Sequence, residues 1–175
     1  MSEPTSSSPA AAAPVPAGLY RVDPNRSFLG FRAKAFGLVW VRGTMPAVDG
    51  SVRIEDGLLS GTGVIAASGV ETGVKARDWH LRSSHYLNTA VHPEIALAVD
   101  GAAIDTGRAD CTVTVRDTSS AVQLQITALD VVDGALHLRA VVELDRTPFP
   151  MLPPLAGVSR VVHIDLSVVA LPSTS

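Results

Sequence analysis

The chain has 175 residues, 46% hydrophobic and 18% charged, a composition that builds a core and a length that suits one domain. Its net charge of −3 leaves no overall electrostatic footprint for nucleic acid or an anionic membrane. No apolar run approaches about 18 residues, so no transmembrane segment is expected, and the single cysteine, Cys111, excludes an internal disulfide and suits a reducing, cytoplasmic setting.

Residues 1–18, MSEPTSSSPAAAAPVPAG, contain no Lys or Arg, and Pro14 and Pro16 break the alanine run. A secretory signal needs a basic start and about 7–15 uninterrupted apolar residues. The segment therefore reads as a disordered Ser/Ala/Pro-rich tail ahead of a folded domain over 19–172. From Leu19 the pattern has period two. Leu29, Phe31, Ala33 and Ala35 share one face, with Arg32 and Lys34 on the other. After Gly37 a strand runs from Leu38 to Val48 with Arg42 outward. Asp49-Gly50 and Asp56-Gly57 read as hairpin turns around a short strand, Ser51–Glu55, with the next strand over Leu58–Ala67.

Residues 68–95 are the one long stretch without alternation. Thr72 is placed to N-cap a helix from Val74 to about Tyr86, and Asn88 and Pro93 supply stop signals. Alternation resumes with Ile95, Leu97 and Val99. It continues with Ala109, Cys111, Val113 and Val115, and after a turn over Asp117–Ser120 with a strand over Val122–Ala128. Asp133-Gly134 turns into a strand with Leu136, Leu138, Ala140, Val142 and Leu144 on one face. Residues 147–154 are too proline-rich for regular structure, and a last strand covers Arg160–Ala170. Eight or nine strands joined by short turns and apolar on one side give an all-β fold. An antiparallel up-and-down barrel, which removes exposed edges, is the expectation, with a sandwich as the alternative. The inferred inward faces carry Ala33, Ala35, Ala109, Ala128 and Ala140, and aromatics make up only 5%. Liners this small favour a barrel that holds a ligand over one filled by its own side chains.

Catalytic and metal signatures are weak. The five histidines match no H-E-x-x-H spacing. Ser83 and Ser84 near His80 and Asp78 are sequence neighbours rather than a triad, and there is no G-x-S-x-G. Cys111 falls on an apolar face. The reading is a protein without catalytic residues, metal or cofactor. Arg77 and Asp78, or Asp78 and Arg82, suit an ion pair that pins the helix. Trp79, His80, Arg82, His85 and Tyr86 suit a polar mouth.

Particular strings resemble a known family. Tyr20-Arg-Val-Asp-Pro24, the Phe31 strand, Gly43, Thr72-Gly73, Arg77-Asp78-Trp79-His80-Leu81-Arg82-Ser83, His92-Pro93-Glu94-Ile95 and the Asp145-Arg146 region look like the YceI-like polyisoprenoid-binding family. The resemblance covers about Tyr20 to Leu171. It implies a lipocalin-like barrel of eight strands, with the helix inserted around residues 73–87. It also implies non-enzymatic binding, transport or sequestration of a long-chain isoprenoid amphiphile, a polyprenyl lipid or an isoprenoid quinone, as bound ligand. The expected ligand-contacting set is then Phe31, Ala33, Ala35, Trp40, His80, Leu97, Cys111, Val113, Leu124, Leu138, Ala140, Phe149 and Met151. The competing reading is a packed barrel, as a homodimer in one version, that serves as a protein-interaction or stress-related structural module without lipid.

Overall fold

The structure is a computed structural model that describes residues 15–149 and 159–173. The strands are β1 (Gly18–Val22), β2 (Phe28–Ala35), β3 (Val39–Glu55), β4 (Leu58–Ala66), β5 (Glu94–Ala103), β6 (Arg108–Val115), β7 (Thr118–Val132), β8 (Ala135–Asp145) and β9 (Val161–Pro172); the helix α1 (Lys75–Arg82) lies between β4 and β5. Each strand from β3 to β9 pairs antiparallel with the next, and β2 joins β9 back to β3. β1 shares the slot of β2. It pairs with the far part of β3, from Gly18↔Ile54 to Arg21↔Ser51, and with the end of β9, from Tyr20↔Pro172 to Val22↔Ala170. β2 takes the other halves of both neighbours. The result is a closed eight-stranded barrel with one extra strand, so no sheet edge is left open. Ser27 stitches the break between β1 and β2, its buried hydroxyl donating to the Val169 carbonyl (3.2 Å) and accepting the Val169 N–H (2.9 Å).

The alternation read from the sequence gives the barrel wall, with three local differences. Asp49-Gly50 is not a turn but lies inside the 17-residue β3, beside a register shift between Ala47 and Asp49. The strand bends there to follow the barrel. Gly50 is required by close approach, since a Cβ would sit 2.7 Å from the Thr62 carbonyl oxygen. The β6–β7 turn is Arg116-Asp117, both at positive φ, and β7 begins at Thr118, earlier than expected. In β7 a second register shift between Ile126 and Ala128 turns Ala128 outward and leaves Leu129 facing in.

Three two-residue hairpins, Asp56-Gly57, Arg116-Asp117 and Asp133-Gly134, have both residues at positive φ, the conformation whose twist suits adjacent strands. The β2–β3 turn has three residues, Phe36-Gly37-Leu38, the first two at positive φ. The β2–β3 and β6–β7 turns, α1, the end of β8 and the start of β9 lie at one end, called upper here. At the lower end Tyr20, Ile54, Leu59, Leu136 and Ala170 are buried in the core.

Candidate functional site

The upper end is closed by a cap built from residues 67–93. After β4 the chain makes a short 3-10 turn, Ala67–Gly69, and Val70 is fully buried. Glu71 then bridges to Thr44 of β3 through two backbone hydrogen bonds of 2.9 Å. α1 is shorter than its pattern suggests, and its N-cap is Val74, which offers no side-chain hydrogen bond. Thr72 has another use. Its hydroxyl donates to Asp78 Oδ1, which also accepts the Thr72 N–H at 2.8 Å. Arg77 donates to Thr72 Oγ1 and to the Thr72 carbonyl, each at 2.9 Å. Arg82 donates to the carbonyls of Ser68 (2.9 Å) and Val70 (2.8 Å).

The Thr-Gly and Arg-Asp-x-x-x-Arg residues therefore latch the helix to the strand-like segment before it. The expected carboxylate–guanidinium pair is replaced by this set of hydrogen bonds. The hydrogen bond from Thr72 holds the Asp78 carboxyl below the ordinary aspartate value, and Arg82 and Arg77 add to the effect. On the other side of the barrel, Arg116 donates to the carbonyls of Ser84 (3.0 Å) and Tyr86 (3.1 Å). This brings Tyr86 and Leu87 into the barrel, where both are buried.

Beneath the cap lies a cavity of about 420 Å³, within the range of small-molecule sites. Its walls are apolar, from Leu29, Phe31, Ala33 and Ala35 on β2 to Val162, Ile164 and Leu166 on β9. Phe31 lies against Gly43 of the neighbouring strand, where a Cβ would come 2.5 Å from the ring; the glycine makes room for the aromatic wall. Apart from the Cys111 thiol, the polar side chains lining the cavity among the described residues are Arg77, His80, Tyr86 and Arg146, all at the capped end. His80 packs edge-on against Tyr86, with centroids 5.1 Å apart, and its Nε2 is 3.3 Å from His85 Nδ1. Arg146 is buried and donates to the Ser159 carbonyl (2.8 Å); burial pushes its guanidinium pKa down. Burial likewise raises that of the Cys111 thiol. A second cavity of about 90 Å³ lies deeper and shares Leu97 and Leu166 with the first.

Of the expected contact residues, Phe31, Ala33, Ala35, His80, Leu97, Cys111 and Val113 line the large cavity. Leu124, Leu138 and Ala140 line the small one, with Leu97 common to both. Trp40 is a correction. It shares the parity of Arg42, pairs with Lys34 on the outer face, and carries Arg32 and Lys34 over its ring at 4.8 and 5.1 Å. Phe149 is buried in the core but lines neither cavity, and Met151 lies outside the described residues. Trp79, expected at the mouth, is exposed. Met45, Leu87 and Arg146 are cavity residues that the sequence reading missed. Met45 was legible from its parity, opposite to that of the outward Arg42; Leu87 depends on how the cap folds back, and Arg146 lies just beyond the end of β8, where alternation stops. No group of three or more His, Cys, Asp or Glu among the described residues is arranged to hold a metal ion.

A closed antiparallel barrel with an apolar cavity under a helical cap is a calyx-type barrel. The YceI-like domain model matches residues 20–170, and the chain belongs to that family. Protein YceI of Escherichia coli is 32% identical over 80 residues, and the UPF0312 protein of Photorhabdus laumondii 34% over 80. Both matches cover 43% of this chain and 42% of the relative, so the chain spans less than half the length of these curated relatives. Among solved structures, BcnA of Burkholderia cenocepacia superposes with a TM-score of 0.73 at 15% identity, covering 85% of this chain and 99% of that one. A polyisoprenoid-binding domain from Saccharophagus degradans, implicated in plant cell wall breakdown, gives a TM-score of 0.67 at 14% identity, covering 90% and 100%. At these identities the structural likeness is one of fold.

Proposed function

We propose that this protein is a non-enzymatic carrier that binds one long-chain isoprenoid amphiphile, a polyprenyl lipid or isoprenoid quinone, in the upper cavity. The observation that carries the reading is the segregation of the cavity lining. Apolar side chains form the walls, and Arg77, His80, Tyr86 and Arg146 are collected at the capped end. A ligand with an apolar tail and a head group rich in hydrogen-bond acceptors matches that polarity. No step of such binding needs a nucleophile or a general base.

At ~30 Å³ per water-sized group, the cavity of about 420 Å³ holds on the order of fourteen carbons, or roughly three isoprene units. A longer tail would pass Leu97 and Leu166 into the deeper cavity. Each buried CH₂-sized group contributes roughly 0.8 kcal/mol before ordering costs are subtracted. The polyisoprenoid-binding domain of Saccharophagus degradans, with the same fold, supports the ligand class. The single buried cysteine is consistent with work in a reducing cytoplasm.

Equilibrium titration with a prenol or prenylquinone series tests the reading. The wild type should bind one equivalent, and Ala33→Phe, which fills the cavity from β2, should lose binding while retaining the β-sheet circular dichroism spectrum. Undiminished binding by a folded Ala33→Phe protein would contradict it.

A further inference from the structure

The most exposed large apolar side chains are concentrated around the cavity mouth. Leu38 is 86% exposed, Phe36 80% and Trp79 73%. Val39, Val74 and Val91, on the same hairpin and cap, are exposed as well. Isolated exposed apolar residues are ordinary, but a group of them around one opening marks an interaction surface. The three-residue β2–β3 turn differs in kind from the three two-residue hairpins. Those are built from Asp-Gly or Arg-Asp pairs, whereas here Phe36 takes the left-handed position at φ 52 and Leu38 follows Gly37. A bulky aromatic there is held against its backbone preference. Phe36 also lines the cavity, so the exposed tip is continuous with the mouth.

Charge is arranged to match. Residues 27–48 contain Arg32, Lys34 and Arg42 and no acid, and α1 adds Lys75 while its one acid, Asp78, is buried under Thr72. The exposed acids nearest this end are Glu71, bridged to Thr44 of β3, Asp145 at the end of β8, which lies 3.7 Å from Arg160, and Asp117 in the β6–β7 turn, on the far side of the mouth from the hairpin. The hairpin itself carries only basic charge. The net charge of −3 averages over this segregation.

We propose that the β2–β3 tip and the exposed face of α1 form a docking surface for an anionic phospholipid bilayer. Phe36, Leu38 and Trp79 enter the interfacial layer, and Lys34, Arg42 and Lys75 face the head groups. The surface brings the mouth to the phase in which an isoprenoid amphiphile is dissolved, and in that respect it rests on the carrier reading. Val39 and Val74 extend the apolar contact on either side.

The test is co-sedimentation with mixed phosphatidylcholine–phosphatidylglycerol vesicles and with pure phosphatidylcholine vesicles, beside titration with a prenol delivered from cyclodextrin. The full chain should sediment with the anionic vesicles, and less as salt is raised. Leu38→Glu combined with Trp79→Ser should lower the bound fraction by roughly tenfold. Neither residue lines the cavity, so prenol binding from cyclodextrin should be unchanged. Lys34→Glu with Arg42→Glu should abolish the preference for anionic over neutral vesicles.

Docking is overturned if the wild type ignores anionic vesicles while binding prenol, or if the Leu38/Trp79 variant sediments like the wild type. It is also overturned if that variant converts a wild-type dimer to monomer without altering sedimentation, because the face would then join two copies of the chain. Vesicle binding without prenol uptake would instead reject the carrier reading and leave docking in place.

Discussion

The upper and lower halves of the barrel are made from the same strands with the same alternation, yet the upper holds a cavity of about 420 Å³ and the lower keeps only the small one of about 90 Å³. In the lower half Tyr20, Ile54, Leu59 and Leu136 are large inward side chains, each at most 4% exposed. In the upper half the corresponding face of β2 offers Ala33 and Ala35, and the opposite wall offers Val113 and Val142. What differs is side-chain volume, together with the cap, which roofs the space with Leu81, Tyr86 and Leu87 rather than plugging it. Alternation makes a barrel; the size of the inward residues decides whether it is a container.

The contrast can be broken in order of expected effect. Leu136→Ala removes a fully buried lower side chain and should cost about 3–5 kcal/mol in denaturant unfolding, transfer and cavity costs together. Leu144→Ala, at the wall of an existing cavity, should cost about 2 kcal/mol, because little new void is created. Equal losses at the two positions would show that the halves are packed alike. Arg82→Ala removes the hydrogen bonds to Ser68 and Val70 and should destabilise the cap by about 1.5–3 kcal/mol. Hydrogen exchange should then accelerate in residues 68–88 before the strands, and ligand dissociation should quicken.

Ala140→Phe sharpens the comparison from the other side. It fills the deeper cavity only, so it should leave short prenols bound and discriminate against long ones, whereas Ala33→Phe removes both. The smallest effect is the pH dependence of the latch. The folded carboxyl of Asp78 lies below its ordinary value, so between the two values the unfolded chain binds more protons. The latch contribution is complete above about pH 4, the unfolded aspartate range, and is lost as pH falls through the folded value. The stability difference between wild type and Asp78→Asn should therefore be present at neutral pH and shrink on acidification.

The wall of this molecule was legible from period-two patterning because each inward face is nearly continuous in sequence. What escaped were features in which one local signal serves two geometries. Asp49-Gly50 has the composition of a tight turn, but here it bends a continuous strand and lets the Thr62 carbonyl approach Gly50. Thr72 has the chemistry of an N-cap, but a carboxylate within the helix takes its hydroxyl. Ala128 follows the inward parity until the bulge reverses it. Within the cavity, residues on regular strands such as Phe31, Ala33 and Val113 could be read from alternation. Arg146 and Leu87 could not, because Arg146 lies beyond the last strand residue of β8 and Leu87 is placed by the folding of the cap. The apolar β2–β3 tip was visible as letters, but its place at the cavity mouth is a property of the closed barrel.

The central claim is that the upper cavity is a ligand site rather than a packing defect. Native mass spectrometry of the protein purified from its own host, followed by organic extraction, tests it most directly. The account predicts a stoichiometric apolar adduct that extracts as an isoprenoid amphiphile and is absent from Ala33→Phe. A wild-type protein that is recovered empty and stays empty when offered prenols and prenylquinones would contradict it.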